Sequence, residues 1–318
     1  MRKIGWLFGI LISIVAIYIA VSVYRNFQKD IARARLRLTS GSKIITTSQG
    51  PIEYATAGEG DPIIVVHGAG GGYDQGLLIS EAWVGNDHHR IAVSRFGYLR
   101  SPLPAEPSYS LQADIFAELL DSLDIKKAVI MGASAGGPST IQFALRHPER
   151  CRAVILVSAI SYEHPPLSWH HNLVFDLVFN SDLLYWSLIS YLPSSFYTAF
   201  GIPPEVQAAL NPAQRDSISY FLHSIVPVSL RKNGTAHDRI DCDLDFPVER
   251  IQAPVLVVHA EDDNIVPYAN AEYIKEKIPD AKTLAFKTGG HLLIGQYHHI
   301  KQTITSFLIQ NSDTGENQ

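Results

Sequence analysis

Short apolar segments alternate with helix-like segments along most of the chain, and this alternation restricts the fold more than any other feature. Continuous apolar runs such as Pro62–His67, Ala128–Met131 and Val255–His259 lack the period of two typical of a half-exposed strand. Strands of this kind are buried on both faces, as in a parallel sheet covered by helices. Further strands are predicted at Lys43–Thr47, Ile52–Ala57, Arg90–Ser94, Ala153–Val157 and Thr283–Phe286, and helices at Leu111–Leu123, Ala135–Arg146 and Leu292–Leu308. We therefore expect an α/β fold with a mostly parallel, twisted sheet and helices on both faces.

The alternation stops between about residues 161 and 250, where proline and aromatic residues are frequent. This stretch predicts a mostly helical cap inserted between two strands of the sheet. Most of its aromatic side chains are expected to pack within the cap, and some to line an apolar acyl pocket. They are Trp169, Phe175, Phe179, Tyr185, Trp186, Tyr191, Phe196, Tyr197 and Phe200.

An uncharged segment lies near the start of the chain, from Ile4 to Val23. About 20 apolar residues in a helix match the thickness of the hydrocarbon layer of a bilayer. The segment predicts a transmembrane anchor over residues 1–24. A cleaved signal peptide is the alternative, because Met1-Arg2-Lys3 resembles its basic start, but its small-residue cleavage site is weak at Ala20–Ser22.

Residues 25–42 are predicted to form a basic juxtamembrane helix or linker, either solvated or facing anionic lipid. Five basic residues follow the apolar segment closely and two precede it, so the positive-inside rule favours a membrane protein with its main domain in the cytoplasm. That domain is predicted over residues 43–310, with a frayed tail at 311–318.

Composition excludes some functional classes. Apolar residues make up 46% of the 318 residues, enough for a large core, while the net charge of −5 gives no basic surface for nucleic acid. Cys151 and Cys242 have no metal-binding spacing and are interpreted as reduced structural thiols. No metal or organic cofactor is expected, and the sequence does not specify an oligomeric state.

The strongest chemical motif is Gly132-Ala133-Ser134-Ala135-Gly136, which follows a predicted strand and precedes a predicted helix. G-x-S-x-G alone occurs by chance in many proteins, but in this strand–turn–helix setting it raises the serine hydroxyl clear of the sheet. Only small residues fit around so sharp a turn, and here they are all Gly or Ala. Ser134 is therefore the candidate nucleophile.

A glycine-rich loop, His67–Gly72, follows another predicted strand. Acyl transfer develops an oxyanion that needs preorganised N–H donors, and glycines let the backbone come close to it. The backbone N–H groups of Ala69 and Ala135 are the candidate oxyanion hole. A phosphate-binding role is disfavoured because no Lys-Ser/Thr follows the loop. His67 is interpreted as structural.

Two further loops supply a carboxylate and a base. Asp262 and Asp263 follow the strand Val255–His259, where a carboxylate could orient an imidazole. Asp263 is the first candidate and Asp262 the second. His291, in Gly289-Gly290-His291, follows the strand Thr283–Phe286 and can reach both Ser134 and Asp263.

The order Ser134, Asp263, His291 is that of the α/β-hydrolase superfamily, and residues 43–310 resemble its capped, single-domain branch of serine esterases and lipases. The four motifs together are specific for the superfamily and uninformative about substrate. One loop, Ser94–Ser101, departs from the usual Asp-x-x-Gly-x-Gly-x-Ser at Ser94 and Leu99. Since that loop is not catalytic in the family, we interpret both departures as family variation.

The resemblance implies a serine hydrolase that forms an acyl-enzyme and needs no cofactor. The aromatic cap and the apolar N-terminal segment favour a carboxylic ester with an apolar acyl chain, a lipid-derived ester included. Two alternatives stay open. The same triad could serve a thioesterase, lactonase, C–C bond hydrolase or cofactor-free haloperoxidase, or the chain could be a non-catalytic binding member of the fold.

Overall fold

A central sheet of eight strands organises the computed structural model, which describes residues 2–162, 177–239 and 244–312. The strands are β1 (Lys43–Thr47), β2 (Gly50–Ala57), β3 (Pro62–Val66), β4 (His89–Val93), β5 (Ala128–Ala133), β6 (Cys151–Val157), β7 (Val255–Ala260) and β8 (Lys282–Phe286). Their spatial order is β1-β2-β4-β3-β5-β6-β7-β8. β1 and β2 form an antiparallel hairpin, β2 runs antiparallel to β4, and all other neighbours are parallel. The predicted fold class is confirmed.

Helices cover both faces of this sheet, as its uninterrupted apolar strands require. Along the chain they are α1 (Arg2–Ser40), α2 (Tyr73–Trp83), α3 (Tyr109–Ser122), α4 (Gly137–Arg146), the cap helices α5 (Asp182–Tyr191), α6 (Pro193–Tyr197), α7 (Pro204–Ala209), α8 (Pro212–Ser224) and α9 (Lys232–His237), then α10 (Ala269–Lys277) and α11 (Tyr297–Gln310). Phe116 of α3 and Ile141 of α4 belong to one buried cluster, whereas Trp83 of α2 and Ile304 of α11 belong to another. Every residue of β5 and β7 is buried between them.

The regular secondary structure of the described part of the cap is helical, from α5 to α9, with loops and short turns between the helices. Most of its aromatic side chains are buried in a third cluster, including Tyr185, Trp186 and Phe196, whereas Tyr191 is exposed. Trp169 and Phe175 lie outside the described residues. Of the two cysteines, Cys151 is buried with a free thiol, and burial raises its pKa to about 12; Cys242 also lies outside the described residues.

The segment expected as a juxtamembrane linker is part of the first helix, since α1 continues without a break to Ser40. It is also not fully solvated, because Phe27 and Ile31 are buried against the cap and Leu38 is buried in the α2–α11 cluster. The residues of α1 before Ser22 that the structure describes are exposed. Of the two predicted forms of this segment, the structure has the helix, and its apolar side chains beyond Tyr24 pack against the rest of the protein.

Among the described residues, α1 is the helix that is long and apolar enough to cross a membrane, judged by length and composition. Its span runs over Phe8–Ser40, and its most apolar window has a mean hydropathy of 2.0 with nothing buried. A signal sequence meets the same criteria.

Candidate active site

Ser134 lies on a strained turn between β5 and α4. Its φ of 50° falls in the left-handed region, which is costly for a residue with a side chain and occurs where the surrounding structure enforces it. The small neighbours explain how the turn closes: a Cβ on Gly136 would lie 2.6 Å from the carbonyl oxygen of Val66. Because the turn opens helix α4, Ser134 also lies at the positive end of that helix.

His291 joins the candidate nucleophile to the candidate carboxylate. Its Nε2 lies 3.0 Å from Ser134 Oγ, and its Nδ1 lies 2.8 Å from Asp263 Oδ2. The three residues come from loops after β5, β7 and β8, whose carboxyl ends meet at one edge of the sheet. With Nδ1–H donated to the carboxylate, Nε2 is the nitrogen that can accept the serine proton.

Asp263 is held by four donors. Its Oδ1 accepts the backbone N–H groups of Ile265 and Val266, at 2.9 and 3.0 Å, and His259 Nε2 lies 3.2 Å from its Oδ2 beside His291. Burial alone would raise the pKa of Asp263, but the charge and hydrogen bonds of His291 and His259 outweigh it and hold the pKa well below its usual range. The carboxylate is therefore ionised and fixed in place.

Asp262, the second candidate, does not contact the imidazole but holds the loop that carries it. Its Oδ1 accepts the N–H of Gly290 at 2.8 Å, and its Oδ2 accepts the hydroxyl of Thr288 at 2.7 Å. The backbone N–H of His291 is donated to Gly201 of the cap at 2.8 Å. The two adjacent aspartates thus hold the same histidine in different ways, one by its ring and one by its loop.

The glycine-rich loop lies against the nucleophile. A Cβ on Gly68 would come within 2.9 Å of Ser134 Cβ, so the chain just before Ala69 passes directly over the serine. Ala135 opens the first turn after Ser134, where a backbone N–H has no acceptor within its own helix. The two amides chosen from the sequence thus lie on the two segments that flank Ser134.

His67 is buried at the start of this loop, and within the described parts of the chain its ring forms hydrogen bonds to backbone groups alone. Its Nδ1 lies 2.7 Å from the carbonyl oxygen of Gly68, and its Nε2 accepts the N–H of Arg95 at 3.0 Å. Burial and the neighbouring Arg95 lower its pKa well below the usual value, so the ring is neutral at pH 7. These contacts suit a structural role.

Comparison with known proteins identifies the family to which the chain belongs. The family model for the alpha/beta hydrolase fold matches residues 61–296, about three quarters of the chain. The chain belongs to the α/β-hydrolase family. It is 28% identical over 262 residues to the Bacillus subtilis (strain 168) protein named "Uncharacterized hydrolase YcgS", covering 78% of this chain and 91% of that protein.

A named enzyme and a solved structure are also similar to this chain. A 2-hydroxymuconate semialdehyde hydrolase of Pseudomonas putida is 24% identical over 249 residues, covering 74% of this α/β hydrolase and 82% of that enzyme. Among solved structures, an alpha/beta hydrolase fold protein from Nakamurella multipartita superposes with a TM-score of 0.71 at 26% identity, covering 84% of this chain and 99% of that one. The family is therefore clear, and the bond that is cleaved is not fixed by these relatives.

In this α/β hydrolase, a cap arginine holds the glycine-rich loop. The Arg231 side chain is completely buried and donates to the carbonyl oxygen of Gly71 at 2.6 Å and to that of Ser224 at 3.0 Å. It also donates to both carboxylate oxygens of Asp74, at 3.1 and 2.9 Å. Arg37 of α1 reaches the same carboxylate at 3.4 Å.

A second buried ion pair joins the cap to the other end of this loop. Arg95 donates to His67 O at 2.9 Å and forms two bonds to Asp238 of the cap, at 2.7 and 2.6 Å. Tyr98 donates its hydroxyl to the same carboxylate. Despite burial, the Asp238 carboxylate raises the pKa of Arg95 above its usual value, so the guanidinium stays charged.

Sequence reasoning missed His259, Arg95, Arg231 and Asp238. His259 left a usable signal, because a histidine at the end of an otherwise apolar strand needs a polar partner. The other three left none, since the carboxylate–guanidinium pairs that they form, Arg95 with Asp238 and Arg231 with Asp74, join residues 143 and 157 positions apart.

The departures at Ser94 and Leu99 also have structural counterparts. Leu99 has a φ of 51°, where a glycine would be unstrained. Ser94 donates to Glu53 Oε2 at 2.9 Å, and that buried carboxylate of β2 also accepts the N–H of Arg100 at 3.2 Å. A carboxylate from another strand thus accepts hydrogen bonds from both ends of this loop.

Proposed function

We propose that this α/β hydrolase is a serine hydrolase that cleaves a carboxylic ester with an apolar acyl chain, lipid-derived esters included. The observation that carries the proposal is the pair of short contacts on His291, at 3.0 Å to Ser134 and 2.8 Å to Asp263. A nucleophile, a base and an orienting carboxylate in hydrogen-bond contact are what acyl transfer requires. The aromatic cap over the site supports an apolar acyl group.

The first half of the reaction forms an acyl-enzyme. Ser134 Oγ attacks the carbonyl carbon while its proton passes to His291 Nε2, and Asp263 stabilises the resulting imidazolium. The backbone N–H groups of Ala69 and Ala135 donate to the oxyanion. His291 then gives its proton to the departing alcohol oxygen as the tetrahedral intermediate collapses.

The second half releases the acid. Water enters, His291 Nε2 takes a proton from it, and the hydroxide attacks the acyl carbon. The same two amides stabilise the second oxyanion, and collapse returns the proton to Ser134. No group other than side chains, backbone and water takes part in these steps.

The test is hydrolysis of p-nitrophenyl esters of graded chain length by the detergent-solubilised full chain, beside Ser134→Ala. We expect an optimum at medium or long chains and a fall in kcat of about 10⁶ in the variant. Ser110→Ala is the matched control, because it removes a hydroxyl whose one hydrogen bond among the described residues is to Gln142, at 3.1 Å. A preference for acetate alone would contradict the apolar-acyl proposal, and failure to label with a fluorophosphonate would contradict the nucleophile.

Cleavage of a C–C bond is the second candidate, supported by the 24% identity to 2-hydroxymuconate semialdehyde hydrolase. The same residues would serve it, so geometry does not separate the two. A competition assay between a p-nitrophenyl ester and a 2-hydroxymuconate semialdehyde does. A kcat/KM at least 10² higher for the semialdehyde, about 2.7 kcal/mol in transition-state stabilisation, would decide for the C–C hydrolase.

We propose further that α1 is an uncleaved membrane anchor with the catalytic domain in the cytoplasm. Its apolar half supports an anchor, and the five basic residues after Val23 support that orientation. The docked residues Phe27 and Ile31 attach the basic half of the helix to the cap, which holds the end of the anchor beside the catalytic domain. Resistance to carbonate extraction and an intact N-terminus on sequencing of the mature protein are expected; a start beyond residue 22 would identify a signal peptide.

A further inference from the structure

The outer face of cap helix α5 is apolar and exposed. Leu183 and Leu184 on its first turn are 39% and 40% exposed, and Tyr191 and Leu192 at its end are each 54% exposed. No Asp, Glu, Lys or Arg occurs from Leu183 to Pro204, a stretch of 22 residues in a protein that is 18% charged. We call the four exposed side chains of Leu183, Leu184, Tyr191 and Leu192 the α5 face. A concentration of exposed apolar side chains without charge marks a surface that contacts another apolar phase.

The α5 face is continuous with helix α1. Trp186, on the buried side of α5, packs edge-on against Phe27 of α1 with ring centroids 5.7 Å apart, and its Nε1 donates to Asp30 at 3.1 Å. The same indole meets the exposed Tyr191 at 5.8 Å, and Phe27 meets Tyr24 at 6.2 Å. Four aromatic rings thus run in contact from α1 to the α5 face.

This contact fixes the height of α5 relative to the apolar half of α1. Phe27 comes four residues after Val23, which is about 6 Å along a helix. The polar headgroup layer on each side of a bilayer is about 5–8 Å thick. If the uncharged residues of α1 cross the hydrocarbon, Phe27 and the rings beside it lie in or at the edge of the headgroup layer, where Tyr and Trp are enriched.

Charge on the neighbouring part of α1 suits a bilayer surface. Arg25, Lys29 and Arg33 recur every four residues, so they share one side of the helix, and all three are exposed. Basic side chains at this depth attract the anionic headgroups of the membrane surface. The apolar side chains on α5 suit the hydrocarbon side of the membrane surface, and the basic side chains on α1 suit its anionic headgroups.

We infer that the α5 face is a second membrane contact, which inserts into the interfacial layer of the bilayer that holds α1. The cap is then the membrane-facing side of the enzyme, and an ester with a long acyl chain passes from the lipid beneath the cap to Ser134. The inference rests on the proposed anchor, and its consequence for substrate rests on the proposed ester hydrolysis.

The contact is tested by attaching a fluorophore to Leu184→Cys or Tyr191→Cys in the full chain. The background carries Cys242→Ser, and buried Cys151 has a pKa raised to about 12 and stays unlabelled. The protein is reconstituted into vesicles of equimolar phosphatidylcholine and phosphatidylglycerol, with a nitroxide near the headgroup end of some acyl chains. Leu103→Cys is the matched control, since Leu103 is 38% exposed and lies three residues from Arg100, which bonds to Ser42 beyond the far end of α1.

We expect the nitroxide lipid to quench the labels at positions 184 and 191 at least threefold more than the label at 103. Aqueous iodide is expected to give the reverse order. Equal quenching at all three positions by both agents would overturn the inference, as would a protein that does not insert into the vesicles. Protection from iodide that depends on protein concentration, without lipid quenching, would mean that a second copy covers the face and would also overturn it.

A kinetic experiment separates this inference from the proposed function. We expect Leu184→Glu to lower kcat/KM about tenfold for a long-chain ester embedded in the vesicles, and to leave hydrolysis of p-nitrophenyl acetate in solution unchanged. Leu103→Glu is expected to change neither. Equal loss on both substrates would show that the substitution does not act through the vesicle surface and would overturn the role of the α5 face in substrate entry; the quenching result then decides the contact itself. Absence of all ester hydrolysis would refute the proposed function, and the quenching result would still decide the contact.

Discussion

The edge of the sheet that carries Ser134 and the cap that covers it are built on different principles. At the sheet edge, each chemical group follows directly after a strand, and its position is set by a turn of a few residues. In the cap, the important contacts join segments far apart in the chain, such as Asp238 to Arg95 and Trp186 to Asp30. The catalytic residues at the sheet edge can therefore be recognised from short sequence motifs. The contacts that attach the cap can be recognised only from the three-dimensional structure.

That difference predicts that the residues of the sheet edge act as one unit. We expect Ser134→Ala and His291→Ala each to lower kcat by about 10⁶, and the double variant to be no worse than either alone. The reason is that neither residue accelerates the reaction without the other. Single-turnover kinetics on one p-nitrophenyl ester measures this, and additive losses would show that the two residues work independently.

The adjacent aspartates give a sharper test at the same edge. We expect Asp263→Asn to lower kcat about 10⁴-fold, because the amide cannot both orient the imidazole and stabilise its charge. Asp262→Asn keeps the ring contact and only loosens the loop, so a loss of at most about 10² is expected. Comparable losses in the two variants would mean that the position of the loop, and not the charge, matters most.

Removal of the cap's ion pair tests whether its buried contacts hold the two regions together. We expect Asp238→Asn to lower the free energy of unfolding by about 3–5 kcal/mol, because it leaves the buried Arg95 charge without its partner. Asp114→Asn breaks an exposed pair with Arg146 and is expected to cost about 1 kcal/mol or less. Urea unfolding in detergent compares them, and similar costs would show that the cap is not held by this contact.

The smallest expected effect concerns His67, which joins the two regions through Arg95. Burial lowers its pKa, so below about pH 6.5 the unfolded chain binds a proton there that the folded chain does not. The stability of the wild type should therefore fall with decreasing pH by up to about 1.4 kcal/mol per pH unit more than that of His67→Gln. Urea unfolding between pH 7 and pH 5 measures the difference in slope; parallel curves would contradict the neutral buried ring.

The sequence predicts the strands, the elbow at Ser134 and the carboxylate and histidine loops because each depends on local pattern and a short turn. It does not predict α2, whose helical residues mix apolar and polar positions without a clear stripe. It also gives no indication of Arg231, whose buried guanidinium is satisfied by Gly71, Asp74 and Ser224. These hydrogen-bond partners are brought together by the packing of the whole fold. A single sequence does not show which distant residues come into contact.

The contact of α1 with the cap has a practical consequence for shortening this protein. The helix has two parts: one exposed and uncharged from Phe8 to Val21, and one that contributes Phe27, Ile31 and Leu38 to the interior. A chain cut at Gly41 would lose both parts and uncover Trp186, whereas a chain that begins at Ser22 would discard only the exposed part. The boundary of a water-soluble version of this hydrolase therefore lies inside a helix.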